Sequence, residues 1–145
     1  MDGLEVYIHG YETEFQYKLN KLIDLQGSFS ATRGENLTDN SPLYYVPPDK
    51  ILLSTEVYLS PFSINLMHKK VFSQNRVGLY EETTPGYETY NLIGTYTIRS
   101  TQAIHKFILQ IDNIFDRKYY NHLSRIKSIM PEKGRNIGFQ YRLNF

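Results

Sequence analysis

The sequence predicts an all-β fold in which about seven antiparallel strands follow one another up and down. Three observations predict it. Segments of about ten residues alternate between apolar and polar side chains, and this period of two places the apolar residues on one face of a strand. The connections between these segments are alternately short and long, and the faces opposite the apolar ones carry many charges.

Composition allows one domain and leaves open the phase that surrounds it. The chain has 145 residues and a formal net charge of +1, so charge gives no reason to expect nucleic acid as a partner. The absence of cysteine excludes a disulfide framework and cysteine-based metal sites. There is no apolar run long enough for a membrane helix, and the start M-D-G-L-E-V-Y lacks the basic and apolar regions of a signal peptide.

The alternation is strictest in the last eleven residues, R-N-I-G-F-Q-Y-R-L-N-F. One face of this closing strand carries five apolar residues, Ile137, Phe139, Tyr141, Leu143 and Phe145. The other face carries amides and an arginine. Two phases suit the apolar face: the core of a soluble sandwich or barrel, or membrane hydrocarbon, which a barrel strand crosses with roughly ten residues.

The first two predicted strands, residues 7–19 and 23–31, form a hairpin around Asn20 and Lys21. A polar loop follows over residues 32–50, where glycine, asparagine, aspartate and two adjacent prolines forbid regular structure through most of its length.

The third and fourth strands cover residues 51–59 and 62–72 and are joined by a turn at Ser60 and Pro61. His68 and Lys70 interrupt the apolar face of the fourth strand, which indicates that this end approaches an aqueous boundary. A second long loop covers about residues 74–86.

The fifth and sixth strands cover residues 89–98 and 106–112, with a short connection near residues 100–103. The third long loop, residues 113–134, leads to the closing strand.

The loop lengths favour a membrane. A soluble sandwich has no reason to place all its short turns at one end, whereas an outer-membrane barrel has short periplasmic turns and long outer loops. Ten charged residues on the faces opposite the apolar ones suit a wide, wet lumen better than the packed interior of a small barrel: Glu12, Glu14, Lys18, Asp24, Lys50, Glu56, Lys69, Lys106, Asp112 and Arg142. We therefore predict an antiparallel up-and-down transmembrane β-barrel segment.

Two motifs near the end carry a family resemblance. The stretch I-D-N-I-F-D-R-K-Y-Y-N-H-L-S-R, from Ile111, and the stretch P-E-K-G-R-N-I-G-F-Q-Y-R-L-N-F, from Pro131, resemble the C-terminal end of TonB-dependent outer-membrane receptors. In that family an N-L-F-D-x-x-Y-like element precedes the last loop, and Ile114 stands here in place of the leucine. A P-x-x-G-R-x-like element then opens a final strand that ends in an aromatic residue. The earlier P-L-Y-Y-V-P-P-D-K, from Pro42, is similar to a proline-bearing loop of these barrels.

The resemblance implies that residues 1–145 are the C-terminal third of a 22-stranded plugged barrel in the bacterial outer membrane. The plug domain and the segment that contacts the TonB complex would be absent. Such receptors are not enzymes and import scarce ligands such as ferric siderophores, haem or another metal complex; no cofactor is implied. Their partners would be outer-membrane lipid, the barrel-assembly machinery and, through the missing N-terminal part, TonB.

Elementary energetics also favours an incomplete barrel. Seven strands leave two unpaired edges, and each unsatisfied backbone group in hydrocarbon costs several kcal/mol. Three explanations follow: the chain is a fragment of a longer or disrupted reading frame, several copies close a ring, or an upstream polypeptide completes the barrel. We favour the fragment and expect that it transports nothing alone.

Seven residues of the predicted outer loops are candidates for ligand contact: Arg33, Arg76, Tyr80, Tyr119, Tyr120, His122 and Arg125. Imidazole and phenol groups ligate iron, copper and zinc. The alternative is that the two adjacent tyrosines pack the loop onto the rim and that His122 is solvated. No metal site is predicted on the strands, because His9, His68 and His105 lack ligand spacing.

The final strand has a second predicted role. By the same resemblance, Tyr141, Leu143 and Phe145 are similar to the signal that the barrel-assembly machinery recognises, through pairing of an exposed strand edge. Phe145 would also suit an aromatic girdle at the periplasmic boundary.

Two other classes remain open at this point. One is a small self-contained outer-membrane barrel with a structural or adhesive role. The other is a soluble lipocalin-like barrel that would bury the apolar rows around a small ligand. The lipocalin requires those rows to converge on one dry centre.

Overall fold

The computed structural model describes residues 5–145, so the first four residues of the predicted segment 1–145 lie outside the described part. The described chain is one antiparallel sheet. Its strands are β1 (Val6–Lys18), β2 (Ile23–Asn36), β3 (Ser41–Pro42), β4 (Lys50–Leu59), β5 (Phe62–Val71), β6 (Tyr87–Arg99), β7 (Ile104–Asp112) and β8 (Asn136–Asn144). Among residues 5–145 there is no helix long and apolar enough to cross a membrane, a finding that concerns helices only.

Seven long strands pair in the order β1-β2-β4-β5-β6-β7-β8, and the two-residue β3 pairs with β2 beside this path. The predicted up-and-down antiparallel order is therefore confirmed. The predicted fifth and sixth strands each began two residues late, and the short β3 lies inside the predicted first long loop. The largest error was at the end of β2. The polar loop begins at Leu37 and not at Thr32, because residues 32–36 continue β2 and pair with the start of β1, where Thr32 lies opposite Gly10 and Asn36 opposite Val6.

The pairing register places most apolar residues of the seven long strands on one face, which we call the apolar face. One row across the sheet shows this directly: Phe62 lies opposite Tyr96, Tyr96 opposite Phe107, and Phe107 opposite Tyr141. Their ring centroids are separated by 4.7, 6.4 and 5.0 Å in that order. Neighbouring strands therefore extend one another's apolar rows without a break.

The opposite face, which we call the charged face, carries all ten charged residues predicted there. Lys18 lies opposite Asp24, and Asp24 lies opposite Glu56 on the next strand. Lys106 lies opposite Arg142 near the other edge of the sheet. The register thus confirms that the ten predicted charges lie opposite the apolar rows, while Arg33, Glu35, Lys70 and Glu88 lie on the apolar face where it reaches the long loops.

The apolar rows do not converge on a dry centre. In the described residues the buried apolar side chains are Val46, Val71 and Tyr87, all in or beside the long loops. On the apolar face Phe139 is 70% exposed and Ile137 is 64% exposed. The accessible surface is 10633 Å², against roughly 7,700 Å² for a compact monomer of this mass. The lipocalin-like alternative, which needs a shared apolar core, does not describe this sheet.

The sheet is open, since β1 pairs only with β2 and β8 pairs only with β7 among the described residues. The short connections, residues 19–22, 60–61 and 100–103, lie at one end of the strands. The long loops lie at the other end, and we name them L1 (37–49), L2 (72–86) and L3 (113–135).

Candidate functional site at the long loops

L1 is fixed to the end of β2. The guanidinium of Arg33 donates two hydrogen bonds to the carboxylate of Asp49, the longer of them 2.8 Å. This hydrogen-bonded pair holds the pKa of Asp49 below its ordinary value. The backbone N–H of Leu43 donates to the carbonyl of Gly34 at 2.9 Å. A side chain at Gly34 would meet Val46 and Leu43, so the glycine permits L1 to lie flat on β2.

L2 is closed by a backbone pair between Gln74 and Thr84, whose N–H groups donate to each other's carbonyls at 2.9 and 3.0 Å. The side-chain amide of Gln74 also donates to the carbonyl of Val46 at 3.0 Å. Arg76 forms an ion pair with Glu35 at 2.5 Å. L2 is thus attached both to L1 and to the end of β2.

L3 begins at a buried asparagine. Asn113 has a positive φ of 50°, a conformation that asparagine tolerates better than most residues. Its side-chain amide donates to the carbonyl of Arg117 at 2.9 Å, and its side-chain oxygen accepts from the N–H of Arg117 at 2.9 Å. The N–H of Asn113 donates to the side-chain oxygen of Asn91 at 2.8 Å, which ties the turn to β6.

The return of L3 into β8 is fixed by Asp116. A carboxylate oxygen of Asp116 accepts the N–H of Arg135 at 2.7 Å. The same oxygen would lie 2.7 Å from a side-chain carbon added at Gly134, so only glycine fits there without a shift. The N-I-F-D stretch therefore closes both ends of L3.

The three loops meet at the carboxylate of Glu81, whose side chain is 5% exposed. It accepts the backbone N–H of Gly78 in its own loop at 3.3 Å and the backbone N–H of Tyr45 in L1 at 3.3 Å. The ammonium of Lys127 in L3 lies 3.5 Å away. Glu81 therefore connects L1, L2 and L3 in one polar contact network.

His122 of L3 is the most deeply buried large side chain of this network, 2% exposed. Its Nδ1 lies 2.8 Å from the hydroxyl of Thr84 and 3.2 Å from the ammonium of Lys127. Since an ammonium can only donate, Nδ1 accepts and the proton of a neutral ring sits on Nε2. Nε2 lies 3.1 Å from Glu81 but is poorly aligned for a hydrogen bond.

Burial lowers the pKa of His122 below its ordinary value of 6.5, and the neighbouring charge of Lys127 lowers it further, while Glu81 opposes both effects. The ring is therefore neutral at neutral pH. We refer to Glu81, Thr84, His122 and Lys127 as the loop cluster.

The structure separates the predicted ligand-contact residues into two sets. Arg33 and Arg76 are engaged in ion pairs within the loops. Tyr119 stacks on Tyr87 with ring centroids 4.2 Å apart, as the alternative predicted. The second part of that alternative, a solvated His122, is wrong, because the ring fills the junction between L2 and L3.

The other set faces outward. Tyr80 is 95% exposed at the tip of L2 with a φ of 69°. Arg125 is exposed, and Tyr120 is half-buried under Lys118, whose ammonium lies 5.9 Å from the ring centroid. Within residues 5–145, no three His, Cys, Asp or Glu side chains are placed to hold a metal ion together.

Sequence reasoning missed Thr84, Lys127, Asn113 and Asp116 and gave Glu81 no separate role. The Asn113 and Asp116 pair could have been found from its motif, since side chains of this type fix local turns. The pair of Glu81 and His122 could not, because 41 positions separate them and no local pattern links them.

The predicted assembly-signal residues lie at the short-connection end of the edge strand β8. The hydroxyl of Tyr141 is 2.8 Å from Nδ1 of His105 on the neighbouring strand. Leu143 is 44% exposed and Phe145 is 99% exposed. All three are on the apolar face or directly beyond its last strand.

No protein-family model matches the chain. The fold of the chain does have a counterpart among solved structures. The chain is similar to part of the protein titled copper transporter OprC, with a TM-score of 0.84 and 23% sequence identity. The similarity covers 97% of this chain and 23% of that one, so the chain spans about a quarter of that protein's length. At this identity the likeness establishes the fold and nothing further.

Proposed function

We propose that this chain is the C-terminal part of the barrel of a TonB-dependent outer-membrane receptor that imports a scarce metal ligand. The observation that carries the proposal is the register, which puts the apolar rows of seven strands on one exposed face. A continuous apolar surface of this size is stable only against another apolar phase. Membrane hydrocarbon is the phase that suits one side of an up-and-down sheet whose other side is charged.

The height of the apolar face supports this assignment. The aromatic row at Phe62 lies near the short connections, and the first charged row, where Lys70 pairs with Glu88 at 2.9 Å, lies eight residues further along β5. Eight residues span about 26 Å along a strand. At the usual strand tilt this is about 20 Å across the membrane, close to the roughly 25 Å band of outer-membrane barrels.

Both edges of the sheet need partners in this setting. Each edge would otherwise bring unpaired N–H and C=O groups into hydrocarbon. We infer that other strands of the same receptor cover β1 and β8, in a barrel of the 22-stranded plugged class whose plug contacts the TonB complex. The exposed Phe145 and the neighbouring Tyr141 and Leu143 would present the edge to the barrel-assembly machinery before closure.

The ligand is proposed to be a metal complex, in keeping with the fold shared with a copper transporter. Tyr80, Tyr120 and Arg125 are the predicted ligand contacts that remain accessible. Arg33, Arg76, Tyr119 and His122 would act indirectly, by fixing the shape of the loops on which those contacts stand.

Uptake by the intact receptor tests the proposal. Cells that carry the gene are compared with a deletion strain for uptake of radiolabelled copper, iron and haem under energised and de-energised conditions. The proposal predicts energy-dependent uptake of one of these that is lost in the deletion strain, with the protein in the outer-membrane fraction. Recovery of the protein from the aqueous fraction without detergent, together with unchanged uptake, would contradict it.

A further inference from the structure

A cleft of about 460 Å³ lies where the apolar face meets the long loops. Its lining includes Lys70, Phe72, Glu88, Tyr90 and Arg117. Lys70, Glu88 and Tyr90 are apolar-face positions at the ends of β5 and β6. Phe72 is the first residue of L2 and Arg117 comes from L3. The cleft therefore opens on the side of the sheet that the proposed function assigns to lipid, at the level where hydrocarbon gives way to headgroups.

The charges of the cleft favour an anion. Lys70 and Glu88 pair at 2.9 Å and offset each other. Among the described residues the guanidinium of Arg117 makes no ion pair, so the cleft retains one unneutralised cation. The hydroxyl of Ser73, which also lines the cleft, adds a donor. The cleft thus combines a guanidinium, an ammonium and a hydroxyl. Phosphate oxygens accept hydrogen bonds from all three kinds of donor.

Aromatic rings surround these donors. The ammonium of Lys70 lies 5.6 Å from the centroid of Phe72, and Phe115 meets Tyr90 edge-on with ring centroids 5.3 Å apart. Phe115 is 73% exposed. Aromatic side chains of this kind are enriched at the boundary between headgroups and hydrocarbon.

Below the cleft the apolar face continues without a charge. Leu66 lies opposite Leu92 on the next strand, and the following row pairs Ile64 with Gly94 and Gly94 with Leu109. A side-chain carbon added at Gly94 would meet nothing within 4 Å, so the open surface at this glycine is lower than at Ile64 and Leu109 beside it, and we call this low strip the channel at Gly94. A cationic cleft above an apolar channel matches an amphiphile and not a free anion.

We propose that this cleft binds the phosphate group of an anionic lipid of the outer leaflet, with an acyl chain along the channel at Gly94. Arg117 is the principal phosphate contact, and Lys70 and Ser73 complete the site. The inference rests on the proposed membrane function, because only a sheet that faces lipid would present the cleft to a leaflet.

The test uses the intact receptor in phosphatidylcholine vesicles that contain a trace of lipid A, with or without its phosphates. After detergent extraction, native mass spectrometry counts the lipid A that stays bound. Arg117→Gln is compared with Lys118→Gln, a matched neighbour outside the cleft.

We expect Arg117→Gln to retain about tenfold less phosphorylated lipid A than the natural protein, as removal of a charge-assisted contact predicts. Lys118→Gln should retain the natural amount, and dephosphorylated lipid A should bind weakly to every variant. Equal retention by Arg117→Gln and Lys118→Gln would overturn the site. Competition by inorganic phosphate at the concentration of the lipid would overturn the lipid as its ligand. Failure of the receptor to float with the vesicles would instead overturn the membrane function, and with it this site.

Discussion

At the scale of single residues, His122 and Glu81 show how polar groups can replace an apolar core. The long loops bury little apolar surface, so their shape depends on a few buried contacts between distant positions. Removal of one member leaves another buried polar group without a partner, which costs about 1–3 kcal/mol.

The first prediction concerns His122→Ala. The variant should weaken the junction of L2 and L3 by about 1–3 kcal/mol, because Thr84 and Lys127 lose their shared acceptor. Hydrogen exchange of the L2 and L3 amides in the intact protein measures this, as faster exchange in both loops. Arg125→Gln, an exposed change in the same loop, is the control and should exchange as the natural protein does.

The second prediction concerns pH. The pKa of His122 is lowered in the folded loops, so an unfolded or open loop binds the proton more readily. The stability that neutral His122 contributes is complete above its ordinary pKa of 6.5 and is lost as the pH falls through that value toward the lowered one. A spin label at Tyr80→Cys should therefore become more mobile as the pH falls below 6.5.

The same label in a His122→Gln background is the control, since glutamine does not titrate there. Its mobility should not change over this pH range. An equal pH response in both backgrounds would assign the effect to another group.

At the scale of elements, Asn113 fixes the base of L3 in two ways. Its backbone occupies a positive φ, and its side-chain amide donates to the carbonyls of Arg117 and Lys133 on the two sides of the loop base. Asn113→Gly keeps the backbone freedom and loses the side-chain bonds, whereas Asn113→Ala loses both.

The third prediction follows from this difference. Asn113→Gly should destabilise L3 by about 1–3 kcal/mol, and Asn113→Ala by about 1–2 kcal/mol more because of the unfavourable φ. Thermal unfolding of the intact protein in detergent, monitored by loss of its heat-modifiable gel mobility, ranks the variants. Equal midpoints for alanine and glycine would show that the backbone conformation costs nothing here.

The fourth prediction concerns the end of β8. Removal of Phe145 should reduce the amount of assembled receptor in the outer membrane several-fold, because the terminal aromatic is proposed to start edge pairing. Phe145→Tyr keeps the ring and should assemble normally. Immunoblots of outer-membrane fractions measure the assembly of both variants. Normal assembly without Phe145 would contradict its role in edge pairing and would assign it to the aromatic girdle alone.

The strands were predictable where their two faces differ in polarity. Residues 106–112 and 136–144 were predicted because apolar side chains alternate there with mostly polar or charged ones. The alternation disappears in residues 32–36 of β2, because this end of the strand lies among the polar loops and has no apolar face to mark it. For that reason the sequence predicted a loop at residues 32–36, which in the structure still pair with β1.

The candidate site was predictable only in part. Position in a long loop was enough to select His122 and Tyr80. That His122 is buried and Tyr80 exposed depends on how L1, L2 and L3 fold against each other. Contacts such as that of Tyr45 with Glu81 join residues 36 positions apart and leave no periodic signal.

At the scale of the whole molecule, the open edges of β1 and β8 determine what the chain can do alone. With both edges unpaired, the isolated 145 residues should neither close a pore nor transport. Liposomes reconstituted with this chain alone should show no ligand-specific uptake, whereas the intact receptor should bind its ligand in the same lipid. Uptake by the isolated chain would show that copies of it close the barrel.

The proposed function requires that the apolar face meets lipid and that the charged face meets water. The absence of cysteine makes single-cysteine spin labelling along β7 direct. In the intact protein in liposomes, labels at Phe107 and Leu109 should collide mainly with oxygen. Labels at Lys106, Ile108 and Gln110 should collide more with a water-soluble nickel complex. The preferred collision partner should therefore alternate at every residue. Loss of this alternation, or water access at Phe107 and Leu109, would contradict the account.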